Sequence, residues 1–127
     1  MILKTLRKRA SFVAGNASLV RWRSPLLVVQ ALPAKEIMHL EHLETLPEGT
    51  IIVGYTATKR LGGAVVRNRA KRRLRAASRT VLATIKTPAP GFIFIATAGT
   101  LTTTYAALLS ETKRAIEVLL RKMTPTH

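Results

Sequence analysis

Between Gly49 and Ser110 the chain has no carboxylate, yet the same interval holds ten cations: Lys59, Arg60, Arg67, Arg69, Lys71, Arg72, Arg73, Arg75, Arg79 and Lys86. Solvated helices ordinarily intersperse the two signs to gain i,i+4 pairs. A segment this one-sided repels itself and draws its counter-charge from outside, so the fold must display a cationic face toward a polyanion. A further basic cluster is Lys4, Arg7, Lys8 and Arg9, and the formal net charge is +15. With 47% apolar residues among 127, the chain can still bury a core, and a single domain spanning residues 1–127 is expected.

The acids that do occur narrow the chemistry. All six are glutamates, Glu36, Glu41, Glu44, Glu48, Glu111 and Glu117, and there is no aspartate. Two-metal nucleases and glycosidases need carboxylates at the reacting centre. None lies in the basic region, so any phosphodiester chemistry draws its catalytic groups from elsewhere. Cysteine is absent, which removes disulfides, thiolate zinc sites and cysteine nucleophiles and fits a reducing, cytoplasmic setting. His39, Glu41, His42 and Glu44 match no strong metal signature, and a solvated connection is the preferred reading.

Two stretches raise the question of targeting. Met1 to Arg9 has the charge of a signal-peptide start, but Ser11, Gly15, Asn16 and Ser18 interrupt any apolar run after it, and the start is read as mature protein. A basic, acid-poor start also fits a mitochondrial transit peptide, and that alternative stays open. Thr87 to Ser110 is uncharged but broken by Pro88, Pro90, Gly91 and Gly99. Its apolar kernel, Phe92 to Ala98, has strand length, far short of the roughly 20 residues of a spanning helix. No membrane partner is expected.

Hydrophobic periodicity places the elements. Leu6 to Ala14 reads as a short helix, Leu19 to Trp22 as a short strand, and Leu26 to Leu32 as a strand buried on much of both faces. Pro33 to Gly49 is a connection with a helical turn around Ile37 to Leu43. Thr50 to Thr58 alternates, with Ile51, Val53, Tyr55 and Ala57 on one face and Ile52, Gly54, Thr56 and Thr58 on the other. That second face is small and polar past Ile52, as a docking surface would be. Gly62-Gly63 opens a helix from about Ala64 to Thr84 with a stripe of Val66, Ala70, Leu74, Ala77 and Val81. Gly91 to Ala98 is a strand and Thr103 to Lys122 the last helix. The order is helix, three strands, helix, strand, helix: an α+β sandwich.

The segment from Val53, VGYTATKRLGGAVVRNRAKRRLR, is the most informative. Guanidinium groups at successive helical turns each fork two donors onto phosphate oxygens. The two glycines allow close backbone approach and set free helix N–H groups near an anion. No Walker spacing follows, so this is not a P-loop. The residues Gly54-Tyr55-Thr56-Ala57-Thr58-Lys59-Arg60, then Gly62-Gly63-Ala64-Val65, then Arg67-Asn68-Arg69, Lys71-Arg72 and Arg75 resemble, in order, the signature of the protein subunit of bacterial ribonuclease P. Leu6 to Arg9 with Phe12 is similar to that family's opening helix.

The resemblance implies a four-stranded sheet with order αβββαβα and a left-handed βαβ crossover, the fold also found in a domain of a ribosomal protein. General rules predict a right-handed crossover, so the hand is read from the family alone. It further implies a protein that joins a catalytic RNA and promotes endonucleolytic removal of the 5′ leader of precursor tRNA, with Mg²⁺ held mainly by the RNA and no cofactor bound by the protein alone. Arg67, Asn68, Arg69, Lys71, Arg72 and Arg75 would contact the catalytic RNA. Phe12, Val28, Gln30, Thr56, Lys59, Arg60 and Ala96 would line a cleft for the leader. The sequence departs from the family where Gly63 replaces an asparagine, Arg60 a lysine, Asn16 an aromatic, Gln30 a tyrosine and Thr97 an arginine. The rival reading is a structural, ribosomal-type RNA-binding protein with no processing role.

Overall fold

The computed structural model describes residues 2–5, 12, 14, 20–85 and 90–123. In chain order the elements are β1 (Ile2–Thr5), β2 (Arg21–Arg23), β3 (Leu27–Leu32), α1 (Ala34–Leu40), β4 (Thr50–Thr56), a 3₁₀ turn at Lys59–Leu61, α2 (Ala64–Leu82), β5 (Gly91–Ala96), α3 (Ala98–Thr102) and α4 (Tyr105–Met123). The strands form one mixed sheet of order β1-β4-β5-β3-β2. β4 and β5 run parallel and are joined by α2, whereas β3 is antiparallel to both β5 and β2.

Among the described residues the sheet therefore has five strands rather than the four expected. The extra strand is β1, parallel to β4 from Ile2 opposite Thr50 to Thr5 opposite Val53. It covers an edge of β4 that would otherwise leave backbone groups unpaired, and Leu3 packs against the core beneath it. Phe12 and Ala14 are helical; Leu6 to Ser11 and Val13, the rest of the expected opening helix, lie outside the described residues. α3, also unexpected, is a single short turn of helix between β5 and α4.

Alternation divides the sheet into two faces. Leu27, Val29 and Ala31 of β3, Ile51 and Val53 of β4, and Phe92, Phe94 and Ala96 of β5 form the main core with α2 and α4. Each fully buried Phe or Leu side chain contributes about 1.5–3 kcal/mol. The opposite face carries a smaller cluster of Leu32, Ile37, Ile52 and Ile93, against which Phe12, Ala14, Met38, Leu46 and Ile95 pack. α1 reaches this face through Ile37, which sits over Gly91; a Cβ added there would meet the Ile37 Cδ1 atom.

α3 is tied to the β2–β3 turn by side-chain hydroxyls. Thr97 Oγ1 donates to the Pro25 carbonyl at 2.6 Å and Thr100 Oγ1 to the Leu26 carbonyl at 2.5 Å, while Thr97 N–H donates to Thr100 Oγ1 at 3.0 Å. Gly99 lies against Pro25 so closely that a Cβ would strike its carbonyl oxygen. Among the described residues, no helix is long and apolar enough to cross a membrane.

Candidate nucleic-acid interface

The link from β4 into α2 positions the cations. The 3₁₀ turn closes through Leu61 N–H to the Thr58 carbonyl at 3.0 Å and Gly62 N–H to the Lys59 carbonyl at 3.2 Å. Gly62 adopts φ 146°, ψ −165°, a region essentially confined to glycine. A side chain there would also press on Val66 at 3.1–3.3 Å. Gly63 then caps α2 in an extended conformation, accepting the Arg67 N–H at 3.0 Å.

α2 buries Ala70, Leu74, Ala77, Ser78, Val81 and Leu82. At 100° per residue, Arg72 is then at the pole farthest from the core, and the remaining cations divide between the two flanks. Val65, Asn68, Arg72 and Arg75 line an open recess of about 420 Å³. Val65 is 81% exposed there, an apolar side chain left in water among polar ones. The Arg75 guanidinium carbon lies 5.5 Å from the centroid of the Tyr55 ring, within cation–π range. That ring stacks on Phe94 at 5.4 Å and its hydroxyl bonds Ser78 Oγ at 2.6 Å. Burial holds the Tyr55 phenol above its ordinary pKa of 10.0, opposed by the Ser78 hydrogen bond and by the charges of Arg79 and Arg75. A rigid aromatic thus orients Arg75 from below.

Of the other expected RNA contacts, Arg67 and Lys71 are half-buried on the Ser78 edge of α2, and Arg69 is exposed on the opposite edge. The Arg67 Nε is buried without a partner. Among the described residues, no carboxylate pairs with Arg67, Arg69, Lys71, Arg72 or Arg75. Arg73 was not expected to differ from its neighbours, yet its Nη2 donates to the Thr103 carbonyl at 2.5 Å and holds α2 to the segment between α3 and α4. No spacing signal could have singled it out, because the acceptor is a backbone carbonyl 30 residues away.

The expected leader-cleft residues separate into three groups. Val28 and Thr56 are half-buried on the open sheet face, Phe12 packs against the cluster on that face, and Lys59 and Arg60 stand exposed beyond Thr56. Gln30 is on the same face but only 3% exposed, below the accessible surface. Ala96 is a correction: it is in phase with Phe92 and Phe94 and lies in the main core on the helix side, 6% exposed. Alternation along β5 instead puts Ile95 beside Val28 and Thr56, and that alternation was the available signal.

An α+β sandwich with α2 and α4 packed on one face of the sheet, a partly open strip beside α1 on the other, and cations without carboxylate partners on the outer side of α2 defines a class of small basic proteins. The family model described as Ribonuclease P matches residues 3–120, and the chain belongs to that family. The ribonuclease P protein component of Caulobacter vibrioides is 54% identical over 67 residues, covering 53% of this chain and 45% of that protein. The match thus spans about half the length of that relative. The corresponding protein of Paramagnetospirillum magneticum is 33% identical over 115 residues, covering 91% of this chain and 81% of its own. The solved structure of the Staphylococcus aureus RNase P protein superposes with a TM-score of 0.66 at 21% identity, over 90% of this chain and 93% of that one, and so shares its fold.

Proposed function

We propose that this chain is the protein subunit of ribonuclease P, a ribonucleoprotein endoribonuclease, and that it acts in the cytoplasm on precursor tRNA. The carrying observation is that Arg67, Arg69, Lys71, Arg72 and Arg75 all lie on α2, spread over its two edges and outer side, with no carboxylate to neutralise them among the described residues. In this reading α2 grips the catalytic RNA, with Arg72 and Arg75 forking onto phosphates and Asn68 and Val65 meeting a nucleotide in the recess between them. The open sheet face, with Phe12, Val28, Thr56, Lys59 and Arg60, receives the single-stranded 5′ leader. Bond breakage and Mg²⁺ belong to the RNA. The protein lowers the repulsion between two polyanions, so its benefit is greatest at low Mg²⁺ and low salt. The family likeness also carries a left-handed β4-α2-β5 crossover.

The test is cleavage of precursor tRNA at low Mg²⁺ by the chain alone, by a bacterial catalytic RNA alone, and by both. The expected result is stimulation of the RNA and no activity from the chain by itself. No stimulation favours a structural RNA-binding protein, and cleavage by the chain alone favours an independent nuclease.

A further inference from the structure

Register across the open sheet face brings four side chains into one row. Arg23 lies opposite Val28, Val28 opposite Ile95, and Ile95 opposite Thr56, so the row crosses β2, β3, β5 and β4 at right angles to the strands. Trp22 packs into the helix-side core, which by alternation turns Arg23 to the open face. Val28, Ile95 and Thr56 are half-buried and Arg23 is exposed. In the adjoining row Gln30, Ile93 and Gly54 are all buried. Beyond Thr56 the chain continues into exposed Lys59 and Arg60. The row is therefore apolar or small along its middle and cationic at its β2 end, while Lys59 and Arg60 lie past the end of β4 along the chain. Arg23 has no hydrogen bond or ion pair among the described residues.

We propose that the 5′ leader crosses the sheet along this row and that Arg23 binds a leader phosphate at the row's β2 end. The inference rests on the leader reading given under Proposed function and adds both a direction of travel and a residue. An apolar floor suits base faces, and a cation at the β2 end suits a flanking phosphate. The absence of carboxylates from Gly49 to Ser110 leaves nothing along β4 or β5 to repel the strand. Three interstrand spacings make the crossing about 14 Å. A leader of one nucleotide cannot span it.

The test uses the holoenzyme, assembled from this chain and a bacterial catalytic RNA, and precursor tRNAs with leaders of one to ten nucleotides. Affinity is measured from 50 to 200 mM salt for wild type, Arg23→Ala, Arg23→Lys and Val28→Glu, with thermal unfolding to check the fold. With long leaders Arg23→Ala should weaken binding about two- to fivefold, as for one exposed charge contact, and flatten the salt slope by about 0.7. Arg23→Lys should retain most of both, and one-nucleotide leaders should show no loss. Equal loss at every leader length, or none at any, would overturn the assignment. Val28→Glu sets a carboxylate in mid-row and separates the two readings. If it weakens long-leader binding while Arg23→Ala does not, only the Arg23 contact fails; if it too is without effect, the leader reading fails.

Discussion

Tyr55 carries a phenol whose ionisation burial opposes, so its folded-state pKa lies above the ordinary 10.0. For an acid the raised value means that the folded state holds its proton more tightly than the unfolded chain. Its stabilising contribution is complete below the unfolded pKa and is lost as pH rises through the folded one. Denaturation midpoints of the wild type should therefore fall above about pH 10, and Tyr55→Phe should abolish part of that alkaline loss. The variant should cost about 0.5–1.5 kcal/mol at neutral pH, since Ser78 Oγ keeps its bond to the Arg75 carbonyl at 3.1 Å; parallel alkaline curves for the two proteins would refute the assignment. Gly99 sets a different limit, because the atom a Cβ would strike is a backbone oxygen of Pro25 that cannot swing away. Gly99→Ala should cost about 1–3 kcal/mol by overpacking, while at Gly91 the obstacle is the flexible tip of Ile37 and the cost should be smaller. Equilibrium unfolding in urea orders the two. Position in the family pattern put Ala96 on the wrong face and left the burial of Gln30 unforeseen. Ala96 was assigned by position in a motif, but counting in twos from Phe92 sends it to the core. The burial of Gln30 depends on what covers the strand, which no local pattern records.

At the level of elements, α2 was legible because its apolar stripe and its Gly-Gly start agree with each other, and the observed end at Leu82 lies two residues before the expected one. β4 was legible by alternation. β1 was not, since four residues at an edge become a strand only when the β4 ladder is there to receive them. α3 was hidden by glycine and threonine, residues with low helix propensity, and is held by hydroxyls reaching carbonyls some 70 residues away. Gly63 caps α2 with no side-chain bond to the free N–H groups, and a Cβ added there meets nothing within 4 Å. Gly63→Asn should therefore raise stability by a few tenths of a kcal/mol, visible as a higher urea midpoint with unchanged slope; a lower midpoint would show the cap geometry to be wrong. Arg72 and Arg73 are sequence neighbours with opposite duties. Arg73→Ala frees the Thr103 carbonyl and should destabilise by about 1 kcal/mol, a charge-assisted bond discounted for partial exposure. Arg72→Ala should leave the midpoint within about 0.5 kcal/mol and weaken binding to the catalytic RNA in a titration at fixed salt. The same stability loss from both would mean that Arg72 is structural too.

For the whole molecule, a net charge of +15 is self-repelling, and repulsion disfavours any compact state. Added salt relieves this in two separable ways. Screening depends on ionic strength alone, with a Debye length of about 10 Å at 0.1 M, and acts the same for chloride and sulfate at matched ionic strength. Binding depends on the anion: a divalent oxyanion accepts forked hydrogen bonds from guanidinium groups, and whatever binds only the folded state stabilises it by RT ln(1 + [L]/Kd). At millimolar concentrations the general exclusion of sulfate from protein surfaces is too weak to mimic this. Sulfate should therefore raise Tm above the value in chloride, by about 4 °C for each kcal/mol gained, with the excess growing logarithmically in concentration. The excess should shrink in Arg72→Ala and Arg75→Ala, which border the recess beside α2, and persist in Lys122→Ala, at the exposed end of α4. Identical melting curves in the two salts would mean that the cations of α2 do not converge on an anion, leaving charge density alone to account for any RNA affinity.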